Sequence, residues 1–111
     1  MSDDAIQDTI RRQVADNPII LYMKGSPDQP MCGFSQRAAQ ALAGCGQEFA
    51  YMDVLQDDRI REGIKVFGDW PTIPQLYING ELVGGCDIIM EMFESGELQQ
   101  LVDSAAAQAG P

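Results

Sequence analysis

Cys32 stands in the run Pro30-Met31-Cys32-Gly33-Phe34-Ser35-Gln36, at the point where a loop gives way to a helix-forming stretch. The free N–H groups and partial positive charge at a helix start stabilise an anion. A cysteine in that position is more thiolate than a free one, so it is a better nucleophile and a better soft-metal ligand. The plain alternative is a buried, inert thiol, but the flanking Pro30 and Gly33 argue for a loop setting. Three residues on, where a redox pair would place a second thiol, stands Ser35.

Two further stretches carry polar groups suited to a ligand. Gly84-Gly85-Cys86-Asp87 opens a helix, where bare backbone N–H groups and a capping residue form an anion site; a simple turn is the alternative. Trp70-Pro71-Thr72-Ile73-Pro74 precedes a strand, and Pro74 marks a strand start or a turn. A cis Ile73–Pro74 bond would turn the Ile73 backbone outward to pair with an extended peptide, while a trans loop proline is the common case. Lys24 ends a strand facing the Cys32 loop and offers a cation.

These groups need a scaffold, and 111 residues with a net charge of −10 define what it can be. The length fits one domain, 1–111, that folds without a structural metal or disulfide. No apolar run approaches the about 20 residues of a membrane span. The acidic N-terminus lacks signal-peptide or transit-peptide character, so a cytoplasmic location is expected. Such a charge repels a phosphate backbone, which argues against nucleic-acid binding. The chain has no histidine, which removes Ser-His-Asp and Cys-His activation and every histidine metal site. Its three cysteines, Cys32, Cys45 and Cys86, fit no zinc spacing.

Ile6, Ile10 and Val14 define an amphipathic helix over 4–16, capped by Ser2 or Asp3. Residues 19–24 form a buried strand, 33–43 a helix ended by Gly44 and Gly46, and 48–54 a second strand. A helix over 57–67 stops at Gly68. QLYI and ELVG flank Asn79-Gly80, a strong hairpin signal. Asp87 caps the next helix, and a last one starts after Ser95-Gly96. The order α-β-α-β-α-β-β-α-α gives an α/β fold with a four-stranded mixed sheet flanked by helices on both faces.

KGSPDQPMCGFS and WPTIPQLYINGELVGGCDI, in this order of elements, resemble the monothiol, CGFS-type glutaredoxins of the single-domain class. The resemblance runs from about Ile6 to Val102. It implies a thioredoxin-like fold and makes Pro74 the cis proline. It also implies a glutathione site. Lys24 would pair with the glycyl carboxylate together with Arg61, Arg59 being the other candidate. Ile73, before Pro74, would bond the peptide backbone like an added strand. Gly85, Cys86 and Asp87 would hold the γ-glutamyl end, and Phe34 would wall the sulfur.

Ser35 then has a meaning. It cannot close a disulfide, so a mixed disulfide at Cys32 must wait for a second thiol. The site favours holding a sulfur ligand. A [2Fe–2S] cluster takes four thiolates, and the resemblance implies that Cys32 and one glutathione from each of two subunits supply them in a homodimer. It further implies apo iron–sulfur proteins as recipients, in iron–sulfur carriage and iron homeostasis, and heterodimers with BolA-like proteins. The alternative is a glutathione-dependent thiol–disulfide oxidoreductase with Cys32 as nucleophile. The long loop Gly25–Met31 and Trp70-Pro71 favour the cluster role. Cys45 reads as a spectator thiol. Cys86 is either another spectator or a partner for Cys32 under oxidation.

Overall fold

Strand β1, Ile19–Met23, is buried at every position, and its side chains must therefore feed two cores. Alternation along the strand does this. Ile19, Leu21 and Met23 join one apolar cluster, with Ala38, Leu42, Ile89, Leu98 and Val102. Ile20 and Tyr22 join the other, with Ile6, Ile10, Val14, Ile60 and Ile64. The computed structural model describes residues 2–109. Its elements are α1 (Ser2–Asp16), β1, α2 (Gly33–Gly44), β2 (Ala50–Asp53), α3 (Asp58–Gly68), β3 (Gln75–Ile78), β4 (Glu81–Gly84), α4 (Cys86–Ser95) and α5 (Glu97–Ala109). The sheet order is β2-β1-β3-β4. Strand β1 runs parallel to β2 and antiparallel to β3, and β3 pairs antiparallel with β4. Helices α1 and α3 cover one face, and α2, α4 and α5 the other. This is a thioredoxin-like arrangement, as the resemblance implied.

Most expected boundaries hold within two residues. Asn79 and Gly80 both take positive φ, 53° and 82°, as a two-residue hairpin of this hand requires. Three local expectations need correction. Strand β2 is shorter than 48–54 because Asp53 accepts the Leu55 N–H at 3.0 Å and turns the chain into a 3₁₀ turn over Val54–Gln56. Helix α3 takes in Gly68 as its last residue: Asp57 caps its start, and the left-handed residue that follows and ends it is Asp69, φ 49°. Asp87 is not the cap of α4; that place is taken by Gly85, and Asp87 lies in the first turn. The cap expected for α1 at Ser2 or Asp3 falls on side chains outside the described ones.

Gly68 is glycine for want of space, not for its backbone. A Cβ there would run into the Tyr77 hydroxyl and come within 3.0 Å of Gln75 Oε1. Gly68→Ala is therefore expected to destabilise by about 1–3 kcal/mol, the usual cost of overpacking, as a lower urea midpoint. Adding Tyr77→Phe, which removes the struck hydroxyl, should recover part of that loss.

Candidate functional site

Cys32 has extended backbone angles and occupies the N-cap position of α2 without a side-chain cap bond. Its thiol is partly exposed and its pKa lies below that of an ordinary cysteine. The Ser35 N–H is the largest cause. Partial burial opposes it, and the Phe34 N–H, the Lys24 charge and the Ser35 hydroxyl lower it further. This is the helix-start effect carried by identifiable groups. Cys45 is the opposite case: burial first, then the nearby Asp103 carboxylate, pushes its thiol up. Cys86 is buried at the start of α4.

Ser35 is fully buried. Its hydroxyl accepts the Lys24 N–H at 3.0 Å. The residue in the second-thiol position thus ties the end of β1 to the first turn of α2. The loop between them is pinned at both ends. Met31 N–H donates to Lys24 O at 3.0 Å, and Gly25 N–H donates to Asp53 Oδ1 at 2.9 Å. Gly25 has φ 88°, and a Cβ there would strike Gln29 O. Met31 and Phe34 are exposed on either side of Cys32, and the Arg37 guanidinium lies 5.6 Å from the Phe34 ring centre.

A cleft of about 470 Å³ lies beside the thiol, within the range of small-molecule sites. It gathers Lys24, Phe34, Arg61, Ile73, Pro74, Gly85, Cys86 and Asp87. All eight residues expected from the sequence to bind the ligand beside Cys32 line it. Cys32 itself does not line the cleft; it adjoins it through Lys24 and Phe34. Arg61, not Arg59, lines the cleft; Arg59 instead pairs with Asp57 at 3.5 Å. The Ile73–Pro74 bond is cis. Among the described residues, no hydrogen bond within the protein engages the Ile73 backbone.

Sequence reasoning missed Lys65 and Ile88, which also line the cleft. Lys65 follows Arg61 by four residues on α3, and that spacing was signal enough to find it. Trp70, Pro71 and Thr72 were seen as a motif and form the cleft wall. Three of the chain's seven Lys and Arg side chains thus meet in one cleft of a protein with net charge −10. Two side-chain donors, Arg61 Nε and Trp70 Nε1, are buried there without a partner. Buried donors are nearly always paired, so these two set this part of the structure apart from the rest. The cleft can hold a small anionic peptide beside a thiolate.

A thioredoxin-like sheet with a lone partly exposed cysteine at a helix start, adjoining a cationic cleft, is the arrangement of the glutaredoxin class. The comparisons agree. The glutaredoxin family profile matches residues 19–83. Glutaredoxin 4 of Escherichia coli strain K12 is 60% identical over 99 residues, covering 89% of this chain and 86% of its own. Glutaredoxin 4 of Pasteurella multocida is 54% identical over 101 residues, covering 91% and 93%. The solution structure of reduced poplar apo GrxS14 superposes with a TM-score of 0.82 at 41% identity, covering 96% of this chain and 99% of that one. The chain belongs to the glutaredoxin family, and Ser35 in the second-thiol position makes it a monothiol member.

Thiol reactivity should follow this geometry. A lowered pKa means that the thiolate fraction of Cys32 rises through its midpoint at lower pH. Its alkylation by iodoacetamide should therefore show an inflection below the about 8.5 of free cysteine, and Cys45 an inflection above it. Lys24→Ala and Ser35→Ala should each move the Cys32 inflection upward without abolishing it, since the Phe34 and Ser35 N–H groups remain. An unmoved inflection in both variants would count against these roles.

Proposed function

We propose that this monothiol glutaredoxin binds glutathione in the cleft and, as a homodimer, carries a labile [2Fe–2S] cluster for transfer to apo iron–sulfur proteins in the cytoplasm. The observation that carries the reading is the pairing of one thiolate, its second-thiol position filled by the buried Ser35, with a cationic cleft that holds unpartnered donors. The donor set fits glutathione. Lys24 and Arg61 suit its glycyl carboxylate, and the open backbone of Ile73 suits its peptide bonds. The free N–H groups at the start of α4 suit the γ-glutamyl carboxylate, and Asp87 suits the ammonium.

The donor set also fits half of a cluster site. Among the described residues, no three His, Cys, Asp or Glu side chains come together to hold a metal. On this reading the four thiolates that a cluster takes come, as the resemblance implies, from Cys32 of two chains and the thiols of two bound glutathiones. When bound, it supplies iron and sulfide in a form that can be handed on. The residues of this chain anchor one thiolate each, orient glutathione and leave the edge open at Met31 and Phe34, where recipient proteins or a BolA-like partner would dock.

Anaerobic addition of iron, sulfide and glutathione tests this. Visible absorption and circular dichroism bands should develop together with a dimer, and should need both Cys32 and glutathione; Cys32→Ser abolishes them. Turnover of a glutathione mixed disulfide with no cluster would instead make Cys32 the nucleophile of an oxidoreductase. Calorimetry checks the cleft: Arg61→Ala should weaken glutathione binding about tenfold, the loss of one charged hydrogen bond, while Arg59→Ala leaves it unchanged.

A further inference from the structure

We propose that Gln75 is a positioning residue, whose side-chain amide holds the Trp70–Thr72 wall in the place where the cleft can close on its ligand. The inference rests on the glutathione reading for its ligand, though not for its geometry. Gln75 opens β3 and is fully buried. A polar side chain there costs stability unless its groups are bonded. All of them are, and the direction of the bonds is informative. Both donations leave the core: Nε2 gives one hydrogen bond to Trp70 O at 3.0 Å and another to Thr72 O at 3.2 Å. The carbonyl is fixed from the core side, where the Tyr77 hydroxyl donates to Oε1 at 2.9 Å.

The wall has little else to hold it. Its only other backbone hydrogen bond among the described residues is Trp70 N–H to Lys65 O at 3.0 Å, and Pro71 has no N–H to give. The Trp70 indole in turn reaches α4: a Cβ on Gly85 would lie 3.2 Å from Trp70 Nε1. The Gln75 amide therefore links the central sheet to a wall that spans from the end of α3 to the start of α4. The Tyr77 ring that donates to the amide is itself packed edge-on against Tyr22, with ring centres 5.8 Å apart.

Two variants separate positioning from plain structure. Tyr77→Phe loses the hydroxyl but leaves both donations to the wall. Gln75→Met with Tyr77→Phe removes both polar partners together and replaces them with apolar groups of similar size, which keeps the core satisfied. Trp70 is the sole tryptophan, so its fluorescence reports the wall without any ligand. Tyr77→Phe should keep wild-type emission and bind glutathione within twofold of wild type. The double variant should fold, show red-shifted emission and stronger acrylamide quenching, and bind glutathione about tenfold more weakly. The Cys32 alkylation inflection should stay in place in both, since the wall does not touch the thiol. Gln75→Asn, one methylene too short to reach both carbonyls, should give the same two changes and serves if the double variant does not fold. Unchanged emission with affinity within twofold in the Gln75 variants would overturn the proposal. Were wild type itself not to bind glutathione, the function proposed above would fall, and the emission alone would decide the role of Gln75.

Discussion

The N–H groups at the start of α2 can stabilise a negative charge on Cys32 only while they stay aimed at it. That requirement organises the surrounding chain. Ser35 supplies the most effective N–H and is itself locked, because its buried hydroxyl accepts from the Lys24 backbone. The same bond sets Lys24 at the end of a central strand, with its ammonium near the thiolate. Asp53 then ties Gly25 to the turn after β2, so the loop before Cys32 hangs from two adjacent strands. A second thiol at position 35 would surrender a strong hydroxyl acceptor for a weak one. The lone-thiol design and the rigidity of the site are one feature of the structure.

The cleft shows the opposite state of affairs. Around Cys32 each named group has a partner, but Arg61 Nε and Trp70 Nε1 are buried with none. Both atoms belong to residues that line the cleft, where buried donors are ordinarily paired.

The sequence made much of this legible, and unevenly so. Cys32, Lys24 and the Gly85-Cys86-Asp87 turn could be read because each sits at an element boundary marked by glycine, proline or a break in hydrophobic period. Ile6, Ile10 and Val14 gave α1 in the same way. Gln75 and Ser35 could not be read as positioning groups, since their roles depend on partners as far as 11 residues away and on complete burial. The choice of Arg61 over Arg59 needed the helical phase of α3, fixed only when Ile60 and Ile64 pack under the sheet. Lys65 shared that phase and went unnoticed. Asp69 as the left-handed end of α3 escaped because Gly68 was the obvious candidate, and the reason for Gly68 lies across the fold at Tyr77.

The contrast between the cleft and the rest of the surface has a kinetic side. Lys24, Arg61 and Lys65 form a small positive basin within a chain of net charge −10. At low ionic strength, where the Debye length is long, an approaching anion meets the charge of the whole molecule, which repels it; within a few ångströms it meets the three cations, which attract it. Added salt screens both fields, so anionic ligands should arrive faster and leave faster as ionic strength rises, with the equilibrium moving less than either rate. A protein charged in this manner gains both quick encounter and quick exchange as salt is added.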